Sequence, residues 1–257
     1  ALAALYLLGA FGLGLPLTRW LAPGDRSPHA LALGLGLAAM LSITHLLGVF
    51  GLLSNRIAAL VPIAMGVAFV ARSLPWLLAA ARSSSRPSLL WLAVAPAVGV
   101  LLAAACSPPG WLWSSEFGGY DTLVYHLQLP REWHAMGRVW PVDHNVYSYL
   151  PSYVEAAFAH LASIAGVPRE SFVTADGELL IACKLLHAGI TLGAGWSAAA
   201  ALRSVLGDDA DSPAARALAG GLVIATPWAV VTGSMAYNEM AVVLLLFSAV
   251  HAAAATE

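Results

Sequence analysis

The 257-residue chain is 60% apolar and only 10% charged, with a formal net charge of −2 from 12 basic and 14 acidic residues; soluble domains carry about 25% charged residues. Together with a mean hydropathy of +0.77, this excludes an ordinary soluble globule, a disordered tail and a disulfide scaffold, and no basic face suggests nucleic acid as a partner. What remains is an integral membrane protein, and with 23 Gly and 15 Pro helices fit better than a barrel, whose strands would alternate polar and apolar over about ten residues.

Apolar runs long enough to span a bilayer lie at about 2–22, 29–53, 57–81, 88–106, 178–202, 213–232 and 237–256. The weaker segment 150–165, LPSYVEAAFAHLASIA, carries Glu155 and His160, which a lipid-exposed span would not favour. It reads as a juxtamembrane or partly inserted helix. Arg72, Arg82 and Arg86 mark the 82–87 connection as cytoplasmic, and Arg19 and Arg26 put the first connection on the same side. The stretch 107–177 is then extracytoplasmic. Arg203 and Arg216 bracket a further cytoplasmic loop, in which Asp208, Asp209 and Asp211 count for little. Residues 233–239 emerge beside the long loop. Cys106 and Cys183, both in apolar stretches, read as small buried hydrophobes. The chain opens without Met and closes at Glu257 directly after an apolar helix, so it reads as an excerpt of a longer polytopic protein; no signal peptide is evident.

The densest chemistry lies in residues 118–155, which hold Asp121, Glu132, Asp143, Glu155, three histidines, two arginines, two tryptophans and five tyrosines. A mere connector would be short and polar. Gly118 and Gly119 give a flexible entry, and Asp121 is placed to N-cap a helix over about 122–136 that Gly137 ends. That reading does not exclude Asp121 as a proton acceptor. Tyr125 would share its helical face, with His126 beside it. His126, His134 and His144 also read as interfacial histidines bonded to backbone. Asp121, His126, Asp143 and His144 are donors a divalent metal could use, although no compact ligand motif is present. The aromatic residues read either as an interfacial belt or as a sugar or headgroup platform.

A second candidate region is Tyr237-Asn238-Glu239. Glu239 is either a first-turn acid favoured by the helix dipole or a functional carboxylate at a helix mouth. Lys184, inside the span 178–202, would snorkel outward or meet an anionic headgroup. His45 and His251 read as packed core residues.

The run YDTLVYHLQLPREWHAMGRVWPVDHNVYSYLPSYVEAAF at 120–158 resembles the first extracytoplasmic loop of GT-C-type membrane glycosyltransferases, in the protein O-mannosyltransferase and aminoarabinose-transferase (family 39-like) branch. Asp121 matches the early acid of that loop, Gly137 the turn after its first helix and Pro151 the later proline. ATPWAVVTGSMAYNEMAVVLLLFSAV looks like a second pattern of the same family, a Pro-bearing span followed by an acid, with Glu239 where aspartate is more usual.

The resemblance covers about 88–256. It implies an all-α polytopic bundle of GT-C type, incomplete here, with a partial core over 88–257, a loop over 107–177 containing juxtamembrane helices, and residues 1–87 as extra amino-terminal spans. It further implies transfer of a sugar from a polyprenyl-phosphate-linked donor to an unknown protein, lipid or glycan acceptor at the outer face of a bacterial inner membrane. Asp121 would be the base and Glu239 a second catalytic acid. Tyr125, His126, Arg131, Arg138, Asn145, Tyr147, Lys184 and Tyr237 would bind substrate, the cations and His126 serving the leaving phosphate. The resemblance fixes no cofactor and leaves a divalent metal open. A transporter, with Lys184 lining its path, and a non-catalytic membrane subunit are the alternatives. The transferase reading expects Asp121 and Glu239 to line one cavity open toward lipid.

Overall fold

The computed structural model describes residues 1–25, 27–83, 87–113, 119–172, 177–206 and 212–255. Arg26, Arg86, Gly118, Asp208, Asp209, Asp211 and Glu257, named above, lie outside the described residues. Among the described residues ten α-helices form the bundle: α1 (Leu2–Leu21), α2 (Pro28–Val49), α3 (Arg56–Ser83), α4 (Ala95–Ala105), α5 (Gln128–Met136), α6 (Tyr153–Ala165), α7 (Glu178–Leu206), α8 (Pro213–Ala225), α9 (Pro227–Gly233) and α10 (Glu239–Ala255). Among the described residues there is no strand, only an isolated bridge between Val142 and Asn145.

Among the described residues four helices, in α1, α2, α3 and α7, are long and apolar enough to cross a membrane. The expected span at 213–232 is a pair of helices, α8 and α9, apolar and long enough together for one span but bent by 59°. Pro227 has no N–H to continue the ladder and pushes Thr226 out of helical conformation (φ −59°, ψ 123°). The expected spans at 88–106 and 237–256 are shorter apolar helices, Leu89–Ala105 and Glu239–Ala255.

Small residues set the spacing in the amino-terminal part. A Cβ on Gly14 would stand 1.7 Å from the Ala32 carbonyl oxygen, one on Gly36 1.8 Å from that of Ala10, and one on Gly12 1.9 Å from that of Gly66. Gly12 therefore faces α3 while Gly14 faces α2, and three backbones meet with no side chain between them. In lipid, where apolar surface gives helices no reason to associate, such close approach supplies the dispersion energy. One core runs through both halves of the chain, joining Tyr6, Leu37, Met40 and Ile63 to Phe158, Leu186, Met240 and Leu244.

Helix α6 is the segment expected as a juxtamembrane or partly inserted helix. It has 13 residues, too few to cross, and every side chain from Val154 to Ile164 is buried. Protein surrounds it. Its His160 explains the placement. The ring Nδ1 bonds Thr44 Oγ1 at 2.9 Å, Thr44 bonds the Tyr6 hydroxyl at 3.1 Å, and His160 Nε2–H donates to the Ala59 carbonyl at 2.7 Å. One polar chain thus pins α6 to α1, α2 and α3, and no polar group of it faces hydrocarbon.

The connections sort to two ends. At one end His251 and Asp25 are 3.0 Å apart, the Ser27 N–H donates to the same Asp25 oxygen, and Arg19 lies over Trp76 at 4.9 Å. Burial would raise the Asp25 carboxyl; the His251 and Ser27 bonds and the charges of His251 and Arg203 outweigh it and hold it below the usual carboxylate range. At the other end the Val139 N–H donates to the Gly48 carbonyl, and Trp113 Nε1–H donates to Ser234 Oγ at 2.9 Å. Residues 119–172 and 234–239 therefore share an end. His251 is a packed residue as expected, whereas His45 is only half-buried, its ring 4.6 Å from Tyr153. Cys183 is buried, but Cys106 is exposed.

Candidate functional site

The segment after Gly119 does not form the single capped helix that the spacing suggests. Asp121 is itself helical (φ −63°, ψ −36°) and its side chain makes no capping bond. Thr122–His126 is one turn of π-helix, closed by the Leu127 N–H donating to the Thr122 carbonyl at 2.9 Å, and α5 follows from Gln128. Such turns insert one extra residue and re-aim side chains, often at functional sites. Gly137 ends α5 in the left-handed region at φ 76°, where a side chain would be strained.

The π-turn delivers His126 to Glu155 of α6. His126 Nδ1 lies 2.6 Å from Glu155 Oε1, the two side chains being 1% and 2% exposed. The acceptor carboxylate assigns the ring proton to Nδ1. Asn238 Nδ2 donates to the same Glu155 oxygen at 3.1 Å, and the Asn238 N–H donates to Glu239 Oε2 at 3.2 Å. His126 Nε2 and Glu155 Oε2 are buried and have no hydrogen-bond partner among the described residues. Buried polar atoms are rarely left unpaired, and two on one dyad mark a place for a further polar group.

A ladder of rings flanks the dyad. Tyr147 stacks on Tyr125 at 4.1 Å, Tyr125 lies 4.0 Å from His126, and His126 lies 4.8 Å from Tyr237. Burial, followed by the charges of Asp121 and Glu239, pushes the Tyr237 phenol up to about 12, the neighbouring Thr122 hydroxyl offsetting part of this. Tyr125 is pushed up further by burial and by the charges of Asp121, Glu239 and Glu155. Asp121 and Glu239 act on the same two phenols, so the long loop and the start of α10 converge.

In the unfolded chain both phenols ionise near pH 10. The fold retains protons that the unfolded chain has lost, so stability falls as pH rises from 10 to about 12. We expect Tyr237→Phe to flatten that decline and to remove one late-titrating phenol from the tyrosinate absorbance curve. A Tyr237 that ionises near pH 10 in the folded protein would contradict the convergence.

The other expected residues lie apart. Arg131 is exposed on α5, and Arg138 sits over Trp140 at 4.3 Å. Asn145 serves the loop: its Nδ2 donates to the Val124 carbonyl at 3.0 Å and its Oδ1 accepts the Tyr147 N–H at 3.1 Å. Lys184 neither snorkels nor faces a headgroup. It is 1% exposed and donates to the carbonyls of Ala104, at 2.8 Å, and Ser107, at the C-terminal end of α4. His134 bonds the Val167 carbonyl at 3.0 Å, as an interfacial histidine should, but His126 and His144 bond carboxylates instead. Of the aromatic residues Trp133 is buried, its Nε1–H donating to the Trp140 carbonyl, whereas Tyr120 and Tyr149 are exposed. Among the described residues no three His, Cys, Asp or Glu side chains converge to hold a metal; Asp143 and His144 lie with Tyr149 and Glu132, away from the dyad.

Beside the dyad is an apolar cavity of about 310 Å³ between α2 and α10, lined by Ala38, Leu41, Val154, Ala241, Val242 and Leu245, with Glu155 and Asn238 on its wall where Asp121 and Glu239 were expected; neither of those two is among its described lining residues. Val242 is 55% exposed, so the cavity opens sideways on the flank of the bundle. Sequence reasoning gave Glu155 and Asn238 no role. The signal was an isolated carboxylate in an apolar helix, an expensive arrangement unless it is used. His187 of α7 was also passed over. Its Nδ1–H faces the Thr232 and Met235 carbonyls and its Nε2 accepts the Met240 N–H, bracing the break between α9 and α10 that carries Asn238 and Glu239.

The fold and site define a helical membrane-type bundle with a carboxylate–histidine–tyrosine cluster at one end. Compared with family models, curated proteins and solved structures, the chain matches none.

Proposed function

We propose that the chain is part of a polytopic membrane glycosyltransferase of GT-C type that moves a sugar from a polyprenyl-phosphate-linked donor to an acceptor at the extracytoplasmic face. The observation that carries this reading is the convergence of Asp121, Glu155 and Glu239 with Tyr125, His126 and Tyr237, next to an apolar cavity open on the flank of the bundle. A lipid-linked substrate needs such a junction: apolar walls for the chain and polar groups for the head. Arg19 and Arg203 lie at the opposite end, near Trp76 and Asp25, while Arg56, Arg138 and Arg169 lie at the cluster's own end, so the extracytoplasmic placement is carried by the resemblance of the long loop and not by the arginines.

The acceptor oxygen attacks the anomeric carbon as the bond from that carbon to the phosphate oxygen breaks. The acceptor's proton passes to Asp121, the bonding electrons leave with the polyprenyl phosphate, and configuration at the anomeric carbon inverts. In its imidazolium form His126, held by Glu155, presents Nε2–H to the leaving phosphate. The stacked rings of Tyr125 and Tyr147 offer a face to the sugar. A transport path through Lys184 has less support, because that ammonium is tied to two carbonyls.

Asp121→Asn keeps the size and polarity of the side chain and removes its basicity. In membranes holding the full-length protein, we expect transfer from polyprenyl-phosphate-linked sugars to fall about 10²–10⁴-fold, the usual worth of a general base, with expression unchanged. Transfer at the original rate would overturn the assignment.

A further inference from the structure

At the same end, a second cavity of about 270 Å³ lies among the α2–α3 connection, the end of α5 and the end of α6. Arg56, Arg138 and Arg169 all line it, and no Asp or Glu is among its described lining residues. The Arg56 guanidinium lies 3.0 Å from where a Cβ on Gly166 would stand, and that of Arg169 lies 3.0 Å from the same point on Gly137. Both glycines are in the left-handed region, at φ 71° and 76°, so both tight turns leave open the space the guanidiniums occupy. None of the three forms an ion pair among the described residues. Arg56 also opens α3, a 28-residue helix with no acid in its first turn, so the helix dipole adds positive potential there.

Three like charges around one small cavity repel one another unless an anion sits between them. Guanidinium groups are suited to bidentate hydrogen bonding of phosphate oxygens. The volume is below the roughly 300–1,000 Å³ of pockets for drug-sized molecules, which suits a single phosphate or diphosphate group. We propose that Arg56, Arg138 and Arg169 form an anion site for a phosphate-type group, either free or as the head of a lipid. Arg56 comes from the amino-terminal spans, outside the stretch on which the transferase resemblance rests. The site is separate from the dyad: Ala159 and Ser163 of α6 line it, one and two turns beyond Glu155. It does not rest on the transferase reading, because binding is measured without transfer.

The test uses the protein in phosphatidylcholine nanodiscs at low salt. Inorganic phosphate and pyrophosphate are titrated by calorimetry, and phosphatidic acid is introduced into the discs while the fluorescence of Trp133, which lines the cavity, is followed. We expect saturable binding, weakened about tenfold by each of Arg56→Gln, Arg138→Gln and Arg169→Gln, as loss of a charge-assisted bond implies, and unaffected by Arg72→Gln on α3. Pyrophosphate binding that phosphatidic acid displaces identifies a lipid headgroup site; binding of pyrophosphate without such displacement identifies a soluble phosphate. Each arginine is exposed, and the corresponding Lys variants keep the charge should a Gln variant fail to fold, with weaker but measurable binding expected. If none of phosphate, pyrophosphate and phosphatidic acid binds, or if binding is equal in wild type and the triple Gln variant, the proposal fails.

Discussion

Glu155→Ala is expected to destabilise the protein by about 2–5 kcal/mol, the cost of leaving two buried donors unpaired at about 1–3 kcal/mol each. Glu155 accepts from both His126 and Asn238 and is 2% exposed. Its loss leaves the His126 Nδ1–H and the Asn238 amide unpaired inside the bundle, on top of an Nε2 that already lacks a partner. The damage is not confined to stability. His126 is carried by the π-turn and Asn238 by the α9–α10 break, so Glu155 is the residue that ties the long loop to the last helix. Glu155→Gln separates the two effects. It preserves shape and can still accept from one donor, so it should cost less stability than Ala while releasing the His126 orientation. Unfolding in detergent, followed by tryptophan fluorescence, measures the first effect; imidazole nitrogen chemical shifts of His126 measure the second. An Ala variant as stable as wild type would show that the dyad is not a buried pair.

Gly36→Val is expected to cost 3 kcal/mol or more, at or above the usual ~1–3 kcal/mol of overpacking. The obstacle is backbone: the Ala10 carbonyl oxygen lies 1.8 Å from the new Cβ position and the Gly14 nitrogen 2.7 Å away. A side chain could rotate aside, but a helix ladder cannot. Helices α1 and α2 must separate, and α2 also carries Ala38 and Leu41 on the wall of the apolar cavity. Gly99→Ala is the matched control. Nothing lies within 4 Å of its Cβ position in α4, and helix propensity predicts a gain of about 0.5–1 kcal/mol. The comparison is read from unfolding midpoints in nanodiscs. Equal midpoints for Gly36→Val and wild type would contradict the α1–α2 packing.

Much of the helix order was legible because hydrocarbon demands long apolar runs, and those runs can be counted. Pro227 was also visible as a residue, but run length could not show the 59° bend that it puts into 213–232. Helix α6 was legible only in part. Its composition showed that Glu155 and His160 should avoid lipid, yet it could not show that α2, α3, the π-turn and the α9–α10 connection supply Thr44, Ala59, His126 and Asn238 as their neighbours. Asp121 was misread as a cap because capping preferences are local, whereas the π-turn that makes Asp121 helical is closed by the Leu127–Thr122 bond. Lys184 was offered to an anion because the partners that satisfy it, the carbonyls of Ala104 and Ser107, are some eighty residues away in the chain.

The low share of charged residues, and their crowding into 118–155 and at Glu239, determined by sequence alone that the protein is a helical membrane-type chain with its chemistry gathered into few segments. Only the tertiary structure decided which of those charges meet. Glu155 finds His126 while Arg138 joins Arg56 and Arg169, because pairing depends on distances of a few ångströms between segments remote in sequence. Composition records the cost of a buried charge. The partner that offsets that cost is set by packing.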